Sequence, residues 1–251
     1  MFSLADKTAF VTGGTSGIGR AVATHFVKMG ARVAIAGRRA EGEAIGDEIG
    51  ALFLRVDCAQ EDAVREALER VERELGKLDV LVNNAGLENA GPTIEEQGGD
   101  ELRRIFALNL DGVYWGLHYG PRHLNDGGSI VNTSSAAALV GLPGYGQYAA
   151  TKAAVNSLTK TAALELAPRR IRVNSVCPGA ISTEMLPAGH PEIPLAEALT
   201  PLGRIGEVED VVGLYHFLAS DESAYLTGQT IAVDGGIAAG VGFGVLEKLS
   251  G

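Results

Sequence analysis

The sequence has few cysteines and fewer basic than acidic residues, and both shortages exclude classes of protein. Its 251 residues include only two cysteines, Cys58 and Cys177. Their spacing supports neither a disulfide framework nor a cysteine zinc site. Lys and Arg total 21 against 31 Asp and Glu, so the net charge is −10, whereas a general nucleic-acid-binding protein needs a basic surface. We therefore expect neither a metal site nor a nucleic-acid partner.

The pattern of a signal peptide or a membrane span is also missing. Residues 1–7 lack the charged segment followed by an apolar run that typifies a signal peptide. One long stretch without charge, residues 127–151, is interrupted by polar side chains and glycines, which are costly in lipid. We therefore expect no membrane partner and a cytoplasmic location.

Short apolar runs alternate with helical patterns along the whole chain. Strands are predicted at residues 8–12, 32–36, 52–56, 80–82, 129–132, 171–176 and 230–233, and helices at 17–29, about 41–49, 61–75, 100 to about 117, 148–167 and 209–219. The strands are almost continuously apolar, which is typical of a parallel sheet covered on both faces. We predict a single α/β domain over residues 1–251, with a Rossmann-like, doubly wound, parallel seven-stranded sheet and helices on both faces.

A glycine-rich turn lies between the first predicted strand and the first predicted helix. Residues 12–19 read Thr-Gly-Gly-Thr-Ser-Gly-Ile-Gly. Glycines permit a tight turn there and let backbone N–H groups approach a pyrophosphate, while the helix N-terminus adds a partial positive charge. This context predicts a dinucleotide site.

The end of the second predicted strand bears on the choice of cofactor. An acidic residue at this place accepts hydrogen bonds from the ribose 2′-hydroxyl of NAD, but here the sequence reads Ala36-Gly37-Arg38-Arg39. Two guanidinium groups are suited to a 2′-phosphate, so we expect NADP(H) to be preferred. NAD(H) stays possible, because an arginine in a loop can also stack on adenine.

Tyr148 and Lys152 are candidates for acid/base chemistry. They are four residues apart in a predicted helix and so share one face. A phenol has a pKa near 10, and a neighbouring ammonium lowers it, so such a tyrosine could exchange a proton with a carbonyl or carbinol oxygen. Ser135 follows the fifth predicted strand, thirteen residues before Tyr148. A loop returning to the helix can bring these hydroxyls together; Ser134 is the adjacent alternative.

With these motifs the sequence resembles the short-chain dehydrogenase/reductase family, from Lys7 to about Gly236. The motifs are Thr12-Gly13, Gly17-Ile18-Gly19, Asn83-Asn84-Ala85-Gly86, Asn109, Ser135, Tyr148, Lys152 and Pro178-Gly179. The resemblance implies that Tyr148 is the general acid/base, that Ser135 positions the substrate oxygen, and that Lys152 holds the nicotinamide ribose and lowers the pKa of Tyr148. It implies that Asn109 anchors a water that relays protons.

The resemblance also implies a cofactor site and a homo-oligomer, either a tetramer or a dimer. The cofactor residues would be Gly13, Thr15, Ser16, Gly17, Ile18, Gly19, Arg38, Arg39, Asp57, Cys58, Asn84, Ala85, Gly86, Tyr148, Lys152, Pro178, Gly179, Ile181 and Thr183. Ser16 departs from the pattern, because many NADP-dependent relatives carry a basic residue there. The preference for NADP(H) therefore depends on Arg38 and Arg39.

The segment from about 184 to 206 is rich in proline and apolar residues, which is typical of a mobile lid over a substrate site. It predicts an uncharged, mainly apolar secondary alcohol or ketone as substrate, with His190 as a residue of the lid surface. A reductase of carrier-bound 3-oxoacyl groups is the alternative, and a dinucleotide-binding sensor or scaffold without turnover belongs to a different class. The C-terminal extension, 237–251, would pack on a neighbouring subunit or help to close the substrate site.

Overall fold

The computed structural model describes residues 2–89, 91–242 and 245. Its seven strands are β1 (Thr8–Thr12), β2 (Arg32–Gly37), β3 (Leu52–Arg55), β4 (Leu78–Asn83), β5 (Leu124–Thr133), β6 (Arg172–Pro178) and β7 (Thr230–Val233). They form one sheet of order β3-β2-β1-β4-β5-β6-β7, and all neighbouring strands are parallel. The predicted fold class is confirmed.

Helices connect the strands and cover both faces of the sheet. They are α1 (Gly17–Lys28), α2 (Gly42–Ile49), α3 (Glu61–Leu75), α4 (Gly99–Phe106), α5 (Gly112–His123), α6 (Gly146–Leu166), α7 (Ile193–Leu199) and α8 (Val208–Ala219). The prediction of one helix from 100 to about 117 is too short, because the chain is helical without a break from Gly99 to His123, with a π-helical segment, Ala107–Asp111, between α4 and α5. The prediction of β5 at 129–132 is too short, because β5 begins at Leu124, which pairs with Leu78 of β4 across a register shift.

Successive strand residues point into two different hydrophobic layers. Val11 and Val82 join the layer beneath α1 and α8, which contains Phe26 and Tyr215. Phe10, one residue before Val11, lies in the opposite layer, beneath α3 and α5. Because both faces of the sheet are buried, its strands are almost continuously apolar and do not alternate with polar residues.

The strand order reverses beside β1, which lies between β2 and β4. In sheets of this kind the crevice at the carboxyl ends of the strands, near this reversal, is where ligands bind. The glycine-rich turn, Asn84, Ser135 and Gly179 each follow the carboxyl end of a strand, so the topology brings them to one edge. None of the described helices is long and apolar enough to cross a membrane.

The predicted lid contains a helix that the sequence analysis did not predict, α7. The apolar residues of the lid do not all line a site, because Met185 is 51% exposed and Leu195 is 62% exposed. After β7 the chain makes a short 3-10 turn and returns to the lid, where a Cβ on Gly242 would lie 3.1 Å from the Cα of Pro201. The first residues of the C-terminal extension therefore pack on the lid of their own chain, whereas most of the residues after 242 lie outside the described part.

Candidate active site

Glycines bring the first turn into close contact with the chain that follows β4. Gly13 has a φ of +66°, and a Cβ there would lie 2.9 Å from the Cα of Ala85. A Cβ on Gly19 would collide with the carbonyl oxygen of Gly13 and with the amide nitrogen of Asn84. The turn therefore has no space for side chains, and it can present bare backbone to a ligand.

The N-terminus of α1 is suited to an anion. Its N-cap residue, Ser16, is extended, and its side chain makes no capping hydrogen bond to any residue that the structure describes. The first turn of α1 carries no acidic residue. The N–H groups at the start of a helix and its partial positive charge attract phosphate groups, so this turn fits the pyrophosphate of a dinucleotide.

Asn84 and Thr12 join the ends of β4 and β1. The Thr12 hydroxyl accepts hydrogen bonds from the N–H groups of Asn84 and Ala85, at 2.9 and 3.1 Å. The Asn84 amide donates in return to the carbonyl oxygen of Thr12 at 3.0 Å. Asn84 thus positions the glycine-rich turn and the cofactor-site candidates Ala85 and Gly86 relative to each other.

The predicted catalytic residues Lys152 and Asn109 converge on Gly86. A Cβ on Gly86 would lie 3.2 Å from Oδ1 of Asn109 and 3.4 Å from Nζ of Lys152. Lys152 is buried, and its ammonium donates to the carbonyl oxygen of Thr133 at 2.9 Å. The same ammonium lies 5.7 Å from the centre of the Tyr148 ring.

Asn109 lies in the π-helical segment between α4 and α5. Its side-chain oxygen accepts from the N–H of Leu87, and its side-chain nitrogen donates to the carbonyl oxygen of Leu87, both at 2.8 Å. This reciprocal pair holds the chain after β4 against the helix. Single π turns inside helices are frequent at functional sites.

The structure distinguishes between the two adjacent serines. The Ser134 hydroxyl donates to the backbone carbonyl of Lys152 at 2.9 Å, so it is directed into α6. Burial raises the pKa of the half-buried Tyr148, and the neighbouring Ser135 hydroxyl acts against this increase. The arrangement supports Ser135 for the predicted role of positioning a substrate oxygen.

Burial is the largest influence on the pKa values of Tyr148 and Lys152. It raises the pKa of Tyr148 above its ordinary value, and it lowers the pKa of Lys152 to about 8. For Tyr148 the loss of solvation outweighs the other influences, and the Lys152 ammonium is bonded to Thr133.

The two arginines predicted to bind a phosphate are exposed and follow the end of β2. Arg39 forms a 2.9 Å ion pair with Glu184 of the lid. Sequence reasoning missed a third arginine, Arg55, whose Nε donates to the carbonyl oxygen of Arg38 at 3.1 Å. The sequence feature that could have revealed Arg55 was a basic residue at the carboxyl end of an apolar strand. The register of β3 against β2 places Arg55 beside Gly37.

Asp57 and Cys58, two of the predicted cofactor residues, have different surroundings. A carboxyl oxygen of Asp57 accepts from the N–H of Ala59 at 3.1 Å, which shapes the loop after β3. The Cys58 side chain lies in the hydrophobic layer beneath α3, and burial raises the pKa of its thiol to about 12. The thiol is therefore inert, and only the backbone of Cys58 could contact a cofactor.

The chain after β6 crosses from the sheet to the glycine-rich turn. Pro178 ends β6, and the N–H of Gly179 donates to the carbonyl oxygen of Val233 at 3.0 Å. Ile181 is buried and pairs with Gly206. A Cβ on Gly17 would lie 3.3 Å from the Thr183 methyl group, so this segment ends above the start of α1.

A polar cluster beside Tyr148 was not predicted. The Tyr145 ring lies 6.2 Å from the Tyr148 ring, centre to centre, and its hydroxyl donates to Glu192 at 3.1 Å. Glu88 is half-buried, and its charge adds to burial in raising the pKa of Tyr145. The only sequence signal was an acidic residue two positions after Gly86, in a stretch otherwise assigned to the cofactor.

Comparison with known proteins identifies the family. Residues 13–238 match the family model described as "Enoyl-(Acyl carrier protein) reductase". The chain is 39% identical to the "NADP-dependent (R)-specific alcohol dehydrogenase" of Lentilactobacillus kefiri, over 94% of this chain and 98% of that protein. It is 41% identical to a 3-oxoacyl-[acyl-carrier-protein] reductase of Staphylococcus aureus (strain Mu50), over 92% of this chain and 98% of that protein.

The fold agrees with these similarities. A short-chain type dehydrogenase/reductase from Mycobacterium marinum superposes with a TM-score of 0.89 at 38% identity, covering 94% of this chain and 97% of that chain. The chain therefore belongs to the short-chain dehydrogenase/reductase family. It is an oxidoreductase of alcohol and carbonyl groups.

Proposed function

We propose that this protein is an NADP(H)-preferring dehydrogenase/reductase of a free secondary alcohol or ketone. The observation that supports this most is the convergence of Ser135, Tyr148, Lys152 and Asn109 beside Gly86, at the edge of the sheet that carries the glycine-rich turn. When bound, the nicotinamide cofactor supplies or accepts a hydride at the substrate carbon.

The residues of the chain handle the proton and the substrate oxygen. In the direction of reduction, the Tyr148 hydroxyl donates its proton to the carbonyl oxygen, and in oxidation the Tyr148 oxygen takes the proton back from the alcohol. Ser135 donates a hydrogen bond to the same oxygen and keeps it within reach of Tyr148. Lys152 would hold the cofactor's ribose hydroxyls, and in that state its ammonium would favour the phenolate form of Tyr148. Asn109 holds the chain at Gly86 and Leu87 in place.

The test is a panel of ketones and secondary alcohols assayed with NADPH, NADH and their oxidised forms. We expect turnover of uncharged carbonyl compounds, faster at low concentrations of NADPH than of NADH. If the protein binds a cofactor tightly and yet turns over no member of the panel, the non-catalytic sensor or scaffold replaces this proposal.

The proposed preference for NADPH over NADH leads to a separate prediction about Arg38 and Arg39. Replacing Arg38 or Arg39 by alanine is expected to weaken NADPH binding about tenfold while changing NADH binding little, because a charge-assisted hydrogen bond to the 2′-phosphate is lost. Glu184→Gln releases Arg39 from its exposed ion pair and is expected to tighten NADPH binding by up to about fivefold. Fluorescence titration of both cofactors measures these changes. Equal losses for NADPH and NADH in the arginine variants would contradict the assignment.

A reductase of carrier-bound 3-oxoacyl groups is the second candidate, because several relatives carry that name. An acidic carrier needs an uncompensated basic patch. On α4, however, Arg103 pairs with Asp100 and Arg104 pairs with Glu101. These pairs favour a free substrate. Rates with a 3-oxoacyl thioester and with a free ketone of similar size compare the two candidates directly.

Assembly and location complete the proposal. A homotetramer or a homodimer is supported by the family and by large apolar side chains exposed on the long helices, such as Tyr114 on α5 and Leu164 on α6. Light scattering measures the oligomeric state. A cytoplasmic location is supported by the two cysteines, whose side chains are both buried thiols.

A further inference from the structure

Three polar side chains beside Tyr148 take no part in the proposed proton transfer. They are Glu88, Tyr145 and Glu192, and we refer to them as the carboxylate cluster. Tyr145 lies between the other two: its hydroxyl donates to Glu192 at 3.1 Å, and burial together with the charge of Glu88 raises its pKa. Glu88 comes from the chain after β4, Tyr145 precedes α6, and Glu192 precedes α7 in the lid. The cluster therefore lies where the substrate crevice and the lid meet.

Glu88 is held in a fixed position relative to Tyr148. The residue before it, Leu87, is bonded through both its N–H and its carbonyl oxygen to Asn109. The residue after it, Asn89, donates from its side chain at 2.9 Å to Gln147, which directly precedes Tyr148 on α6. The Glu88 carboxylate is also close enough to Tyr148 to raise its pKa electrostatically. The chain at Glu88 is therefore fixed beside Tyr148, the proposed proton donor.

The carboxylate cluster has more acceptors than donors. Two carboxyl groups offer four oxygens, and the Tyr145 hydroxyl has a single proton to donate. His190 also approaches Glu88, but its Nδ1 accepts from the backbone N–H of Glu192 at 3.3 Å. Burial and the negative charge of Glu192 both raise the pKa of Glu88. A neutral group that donates a hydrogen bond would satisfy this site, whereas a second anion would be repelled.

We propose that Glu88 selects the substrate: its carboxyl group accepts a hydrogen bond from a hydroxyl group close to the reacting carbonyl, so the enzyme prefers hydroxy ketones and the corresponding diols and rejects keto acids. This inference rests on the proposed function and refines its substrate class. It narrows the uncharged, mainly apolar alcohol or ketone predicted from the lid to one that also carries a hydroxyl group near the reacting carbonyl.

The experiment compares ketones that differ at one group. Hydroxyacetone is matched with butanone, in which a methyl group replaces the hydroxyl, and with pyruvate, in which a carboxylate replaces the hydroxymethyl group. The homologue of hydroxyacetone with one more methylene before the hydroxyl is assayed against its own methyl analogue. For at least one pair we expect kcat/KM to be about tenfold higher for the hydroxy ketone, and we expect pyruvate to be at least about a hundredfold poorer than hydroxyacetone.

Two substitutions of Glu88 separate its hydrogen bond from its charge. Glu88→Leu removes the acceptor. The hydroxy-to-methyl ratio, which is kcat/KM for a hydroxy ketone divided by kcat/KM for its methyl analogue, is therefore expected to fall close to one. Glu88→Gln keeps an acceptor oxygen and removes the charge, so it is expected to keep most of that ratio while improving pyruvate about tenfold. Glu95→Gln is the matched control, because Glu95 is exposed in the same loop, and it is expected to change neither ratio.

Thermal melting and NADPH affinity are measured for each variant to verify that the fold and the cofactor site are intact. The inference is overturned if the wild type reduces ketones without preferring either hydroxy ketone, or if Glu88→Leu and Glu88→Gln leave both ratios at the wild-type values. It is the proposed function that fails instead if the wild type reduces none of these ketones and none of the larger panel.

Discussion

Replacing Tyr148 by phenylalanine is expected to lower kcat/KM by about a thousandfold and to leave cofactor affinity nearly unchanged. The phenol is the proposed proton donor, and general acid/base groups typically contribute factors of this size. Phenylalanine keeps the ring that lies 5.7 Å from the Lys152 ammonium, so packing is preserved. Steady-state rates with the best ketone of the panel give the loss, and titration of NADPH fluorescence gives the affinity.

The matched control is Tyr225→Phe, because Tyr225 is fully exposed and far along the chain from the site. That variant is expected to retain the wild-type rate. A Tyr148→Phe enzyme that kept more than about a tenth of the wild-type kcat/KM would contradict the acid/base role. A loss of cofactor binding equal to the loss of rate would instead indicate a damaged fold.

Replacing Gly19 by alanine is expected to weaken the binding of both NADPH and NADH by about tenfold to a hundredfold. The new methyl group would collide with the backbone of Gly13 and with the side chain of Asn84. The turn must therefore move away from the position in which it can hold a pyrophosphate, and strain of this kind costs about 1–3 kcal/mol. Fluorescence titration measures the affinity, and thermal melting verifies the fold.

Gly213→Ala is the control for the glycine substitution. Gly213 is exposed on α8, and a Cβ there meets no other described atom within 4 Å. Alanine is expected to raise the stability by about 0.5–1 kcal/mol, as at other open helix positions, without changing cofactor affinity. If the Gly19→Ala protein bound both cofactors as tightly as the wild type, the glycine-rich turn would not be the pyrophosphate site.

Local sequence patterns were sufficient for the sheet and for the glycine-rich turn. Each strand has an apolar run that needs both faces covered, and the turn contains glycines that a tight turn requires. The family resemblance assigned the positioning role to Ser135, and the Ser134 hydroxyl is directed into α6.

Other features depend on contacts between distant parts of the sequence. The π-helical segment that carries Asn109 forms where the side chain of Asn109 pairs with Leu87, some twenty residues earlier in the sequence. Arg55 lies beside the end of β2 only because β3 pairs with β2. The pKa of Tyr148 depends on burial and on its neighbours in space, so a tyrosine and a lysine four residues apart could not predict its direction.

The sequence by itself therefore determined the class of fold, and it predicted the dinucleotide site and the reacting tyrosine, because these depend on periodicity and on spacing within a few residues. Only the tertiary structure decided what surrounds that tyrosine. Glu88, Tyr145 and Glu192 come from three separate parts of the chain and meet only where the sheet edge, α6 and the lid come together. The substrate selection that we propose depends on such long-range contacts, since hydrogen bonds act between neighbours in space and not between neighbours in sequence.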